Sequence, residues 1–119
     1  MARGIHPAIG ERAAERFPAL HLLYRSIDEM AGALDKEKLR AGLRRTATRT
    51  LAELSTFRVP TLLIAGGEDV VFPPFLASAI ATSLPCGQAE IIEDAGHSPY
   101  FEQAARFNAL VDAFLARPR

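Results

Sequence analysis

Behind Phe17, apolar residues recur at Leu20, Leu23, Tyr24, Ile27, Met30, Ala31 and Leu34. That spacing gathers them on one side of a 3.6-residue helix. The pattern predicts a helix with one buried stripe, weakened towards its end by Gly32. Asp35 then stands where its carboxylate can accept an N–H from the first turn of a second helix. This second helix carries Leu39, Leu43, Ala47, Thr50, Leu51 and Leu54 on one side, with Lys36, Lys38, Arg40, Arg44, Arg45 and Arg49 around the remainder. It should end before Val59-Pro60, because the residue before a proline is pushed out of the helical region.

The chain changes character near Val59. Pro60 introduces the apolar run Thr61-Leu62-Leu63-Ile64-Ala65, stopped by Gly66-Gly67. Such a run predicts a short strand covered on both faces, as in a parallel sheet. After Pro73-Pro74, the residues Phe75, Leu76, Ala79, Ile80 and Leu84 predict an amphipathic helix, with proline tolerated in its first turn. Ala89 to Glu93 reads as a second strand, followed by the loop Asp94-Ala95-Gly96-His97. Tyr100, Phe101, Ala104, Phe107, Leu110, Val111, Phe114 and Leu115 give a last helix a strong apolar face. Strand, helix, strand, helix in that order favours adjacent parallel strands with a right-handed crossover, an α/β arrangement.

Composition narrows the functional classes. Fourteen basic and fourteen acidic residues balance, so no overall field attracts nucleic acid or an anionic membrane surface. The cations from Lys36 to Arg49 wrap around a helix without interleaved aromatics, which fits a solvated face better than a nucleic-acid site. The single cysteine, Cys86, cannot form an internal disulfide, and three scattered histidines make no cluster of metal-ligand spacing. A reducing, cytoplasmic location is expected, with no metal and no cofactor. No stretch approaches eighteen consecutive apolar residues, so no membrane span is expected.

In open α/β sheets, ligands gather past the C-terminal ends of parallel strands. Asp69 and His97 each fall just past such an end, 28 positions apart in sequence. A carboxylate there can accept the imidazole Nδ1–H, fix its tautomer and stabilise the imidazolium formed when Nε2 takes a proton. The pair is therefore a candidate acid-histidine dyad.

The stretch Val59-Pro-Thr-Leu-Leu-Ile-Ala-Gly-Gly-Glu-Asp-Val-Val-Phe-Pro resembles the seventh strand and acid loop of the α/β-hydrolase family. Ala95-Gly-His-Ser-Pro-Tyr-Phe-Glu, with Phe107-Asn108 and Phe114-Leu115 behind it, resembles that family's histidine loop and final helix. The resemblance implies that Asp69 is the triad acid and His97 the general base. Residues 17–56 are similar to the last helices of the family's lid, which implies that Leu23, Tyr24, Ile27 and Met30 could line a substrate pocket.

The same resemblance sets expectations by what it lacks. No Gly-x-Ser-x-Gly nucleophile elbow occurs. Ser26, Ser55, Ser78, Ser83 and Ser98 read as helix or ordinary loop residues, and Cys86 lacks a basic neighbour that would activate it. The expected fold is thus a partial α/β-hydrolase fold, with residues 1–56 as a helical lid-like segment and residues 57–119 as a C-terminal βαβα portion. Two strands alone leave an unpaired edge. That predicts a homo-oligomer or a companion N-terminal hydrolase fragment, and a chain inactive alone whose nucleophile comes from elsewhere. Once completed, the site would act on a small-molecule ester, amide, thioester or carbon-carbon bond. The alternative is a non-catalytic, self-associating module. Glu102 reads as a local cap or bridge, and His6 and His21 as incidental.

Overall fold

The computed structural model describes residues 4–31, 35–48 and 50–117. At its centre, β1 (Thr61–Gly66) and β2 (Gly87–Ile92) run parallel, in register from Thr61 opposite Gly87 to Gly66 opposite Ile92. The crossover is α4 (Pro74–Ser83), which packs on both strands. Its first turn accepts Pro74 because the N–H there has no helical partner. Ala77 and Ala81 are its buried residues, small enough to bring the helix backbone close to the sheet. The second strand begins two residues before the expected Ala89. At Gly87 a Cβ would meet Ala81 O at 2.4 Å, so only glycine allows the chain to pass under the end of α4.

The N-terminal region holds an element that periodicity did not reveal, α1 (Glu11–Arg16). Six residues are too few to display a helical repeat. Ile9, Ala13 and Ala14 nevertheless form a buried cluster, against which Ile5, Tyr24 and Phe101 pack. Tyr24 belongs to α2 (Pro18–Met30), which lies where the apolar stripe predicts but buries no residue fully. Gly32 and Leu34, expected at the end of that helix, lie outside the described residues.

Asp35 caps α3 (Lys36–Thr46) as expected, accepting the Lys38 N–H at 2.9 Å. The single helix expected up to residue 58 is instead two pieces. Ala47 leaves helical geometry at ψ 65°, and a short 3₁₀ turn, Leu51–Thr56, restarts under a Thr50–Glu53 capping box. The last helix is also divided. One turn, α5 (Pro99–Glu102), ends at Gln103 with φ −132°, and α6 (Ala104–Leu115) continues across both strands.

These findings overturn the expectation of a partial fold. Among the described residues, a two-stranded parallel sheet and six α-helices lie between Glu11 and Leu115. The N-terminal segment belongs to the same packed body, because Ala8, Ile9, Ala13 and Ala14 are buried. Among the described residues, no helix is long and apolar enough to cross a membrane.

Candidate active site

Two loops leave the C-terminal ends of the strands and are laced together by their backbones. Gly67 N–H donates to Ile92 O at 2.9 Å and Glu68 N–H to Ala95 O at 2.9 Å. Close approach requires glycine here: a Cβ on Gly66 would lie 2.0 Å from Gly96 O, and one on Gly96 2.4 Å from Gly10 N. The lacing brings Asp69 and His97 together.

Asp69 is buried, and its two carboxylate oxygens have separate partners. Oδ1 accepts the N–H groups of Val71 and Phe72, each at 2.8 Å. Oδ2 lies 2.8 Å from His97 Nδ1. The first pair fixes the carboxylate in its turn. The second places the ring proton on Nδ1, since an ionised carboxylate only accepts, and leaves the Nε2 lone pair available. The His97 side chain is 44% exposed against 4% for Asp69, so a buried acid orients a base that substrate can reach. A cleft of about 190 Å³ opens beside the pair, bounded by apolar groups including Phe72, Ala77 and Pro99.

Ser98, the next residue, is buried and stands at the N-cap position of the short helix α5 without a side-chain capping bond. Its N–H donates to Ala8 O at 3.1 Å, and its hydroxyl donates to the Tyr24 phenol at 3.1 Å. Tyr24 also sits edge-on to Phe101, with ring centroids 5.3 Å apart. Of the four residues expected to line a substrate pocket, Tyr24 alone reaches the histidine loop. Leu23, Ile27 and Met30 lie on the exposed part of α2, Met30 at 86% exposure.

Three groups of residues gain roles that sequence patterns left faint. Glu102 is buried, and its carboxylate accepts N–H groups from Gly10, Gly96 and Ser98. Glu68 accepts the Arg12 N–H at 3.0 Å and pairs with the Arg12 side chain, whose Nη2 also donates to Glu93 O at 3.1 Å. The hydrogen bond and charge of Glu68 raise the Arg12 pKa above its ordinary value. His6 and His21 tie the N-terminal segment to α2: His21 Nε2 accepts the His6 N–H at 3.1 Å, and His6 Nε2 lies 3.2 Å from Asp28 Oδ2. Among the described residues, no group of three or more His, Cys, Asp or Glu could hold a metal ion. Cys86 is exposed, in the turn before β2.

A strand-loop-acid, strand-loop-histidine pair on a parallel sheet is the architecture of an α/β hydrolase, and the comparisons agree. The model of the alpha/beta hydrolase family matches residues 2–110, so the chain belongs to that family. A pimeloyl-[acyl-carrier protein] methyl ester esterase of Neisseria meningitidis is 31% identical over 80 residues, 67% of this chain and 30% of that protein. Among solved structures, Rv0554 from Mycobacterium tuberculosis is 36% identical over 59% of this chain and 26% of its own, with a TM-score of 0.56. Est816, described as an N-acyl homoserine lactone degrading enzyme, is 24% identical and shares the fold over 91% of this chain and 43% of its own, with a TM-score of 0.70. The chain spans under a third of the length of the curated relatives it matches, 26% of the first of them.

The match corrects several expectations. The likeness is not confined to a C-terminal piece comprising the end of a lid, two strands and two helices; it begins at residue 2. It therefore gives no ground for requiring a companion N-terminal fragment, and it does not bear on the expected self-association. The expectation of a chain without a nucleophile is corrected too: Ser98 adjoins His97, which is paired with Asp69, so a candidate serine lies with the histidine and the acid inside the matched region. That set equally argues against an inactive fragment or a non-catalytic module. The elbow motif is a purely local criterion, and its absence does not by itself set Ser98 aside.

Proposed function

We propose that the chain is a hydrolase acting on a small carboxylic ester, with Asp69 orienting His97 as general base. The observation carrying this reading is the 2.8 Å contact between His97 Nδ1 and Asp69 Oδ2 beside an open cleft. With its proton on Nδ1, the ring presents a basic Nε2 to the cleft, and Asp69 stabilises the imidazolium that forms when Nε2 takes a proton. The same proton then passes to the departing alkoxide. The cleft is smaller than the roughly 300 Å³ at which drug-sized ligand sites begin, which favours a short acyl group. An ester is favoured over an amide, thioester or carbon-carbon bond by the name of the Neisseria esterase.

Ser98 is the proposed nucleophile. Its hydroxyl must turn from Tyr24 towards the imidazole for attack, after which the acyl-enzyme would be released by water activated at Nε2. A second reading, in which His97 activates water directly, is favoured by one observation: Ser98 is 2% exposed, with its proton given to Tyr24. Mass spectrometry of the protein after reaction with a p-nitrophenyl ester and an acid quench separates the two. Acylated Ser98 supports the serine route, whereas turnover retained by Ser98→Ala and lost by His97→Ala supports the water route. Absence of turnover by the unmodified chain would refute the hydrolase reading.

Residues 1–56 are proposed as the lid-like part and residues 57–119 as the βαβα part that carries the dyad. A cytoplasmic site of action is proposed as well, supported by the unpaired Cys86.

A further inference from the structure

We infer that Glu102 is a positioning residue for His97, holding the base from its backbone while Asp69 holds it from its ring. Gly96 and Ser98 flank His97 on either side, and the same buried carboxylate accepts both of their amides. Gly96 N–H lies 2.9 Å from Oε1 and from Oε2, and Ser98 N–H, shared with Ala8 O at 3.1 Å, lies 3.2 Å from Oε1. The third donor is Gly10 N–H, 2.7 Å from Oε2, which binds the N-terminal segment to the same point. A buried carboxylate is costly unless its oxygens are met by donors, and here backbone N–H groups meet both. Glu102 does not touch the His97 ring. It fixes the peptide units on both sides of that residue, so the Cα that carries the imidazole is fixed relative to Asp69. The one-turn helix α5 makes this possible, because it places Glu102 four residues after Ser98, on the side of the histidine loop.

The proposal rests on the hydrolase reading for its catalytic consequence, but its structural core can be measured without turnover. In Glu102→Gln one oxygen becomes an amide donor that must face a backbone N–H, so one side of the clamp opens while shape is kept. Glu102→Ala opens both sides. Glu102→Gln should stay folded by circular dichroism and lose about tenfold or more in kcat, with KM within about twofold, as expected when only transition-state alignment suffers. In the same variant the Gly96 amide, which lies 2.9 Å from both oxygens, should exchange with solvent about tenfold faster, while the amides of β1 and β2 keep their protection. The Nδ1–H proton resonance of His97 should broaden. Unchanged Gly96 exchange together with an unchanged His97 resonance would overturn the proposal, whatever the activity. Loss of strand protection in step with the loops would also overturn it, by making Glu102 a general stability residue. Failure of the unmodified chain to hydrolyse any ester would sink the hydrolase reading alone, since the exchange and resonance measurements still decide the clamp.

Discussion

Asp69 gives one carboxylate oxygen to its own loop and the other to His97: Oδ1 binds the Val71 and Phe72 amides while Oδ2 lies 2.8 Å from His97 Nδ1. The division means that the acid cannot rotate away from the ring without breaking two bonds to its own turn. Asp69→Asn keeps an oxygen for the turn and places an amide donor against Nδ1, which forces the ring into the wrong tautomer. Ester turnover by this variant should fall by about 10³-fold or more, with the far-ultraviolet circular dichroism spectrum unchanged. Steady-state kinetics with a chromogenic ester checks this, and near-normal kcat would remove Asp69 from the mechanism.

The Ser98 hydroxyl and the Tyr24 phenol form the polar link between α2 and the histidine loop. Breaking it singly by Ser98→Ala or Tyr24→Phe and then doubly should reveal a coupling of about 0.5–1.5 kcal/mol in urea denaturation. Additive effects would mean that the contact contributes nothing to stability. Tyr24→Phe should also leave the Ser98 hydroxyl freer to turn towards the imidazole. On the serine route, acylation in this variant should be at least as fast as in the unmodified chain.

Two glycine substitutions should move stability in opposite directions. At Gly96 a Cβ would sit 2.4 Å from Gly10 N and 2.7 Å from Ile9 C, so Gly96→Ala must push the N-terminal segment off the loop. A cost of about 1–3 kcal/mol is expected. Gly42, inside α3, has nothing within 4 Å of the same position. Gly42→Ala should therefore stabilise by about 0.5–1 kcal/mol through helix propensity alone. Thermal unfolding of both variants checks the contrast, and equal shifts would contradict the packing described.

Asp35 accepts the Lys38 N–H and so satisfies one of the unpaired donors at the start of α3. Asp35→Ala should cost about 1 kcal/mol, whereas Asp35→Ser should cost much less because a hydroxyl can accept the same bond. Chemical denaturation followed at 222 nm measures both. Identical losses in the two variants would mean that the capping bond is not what Asp35 contributes.

The sequence by itself determined the elements whose signals are local. The run Thr61 to Ala65 bounded by proline and glycine, the crossover helix behind Pro74, and the Asp35 cap all follow from residues within a few positions of one another. So does the placing of Asp69 and His97 just past two strand ends, since strand termini are marked by Gly66-Gly67 and by the polar loop after Ile92. Tertiary structure decided what depends on separate segments meeting. The six residues of α1 carry too little periodicity to be seen, yet they are held because Ala13 and Ala14 fit against Ile9 and its neighbours. The break at Gln103 interrupts no apolar pattern, and it matters because it leaves Glu102 free to collect amides from Gly10, Gly96 and Ser98. Ser98 reads as a loop serine next to His97, and only folding buried it against Tyr24, 74 residues away in sequence. Hydrophobic spacing reports which face of a segment avoids water; it carries no record of which polar atoms will converge once several such faces are packed together.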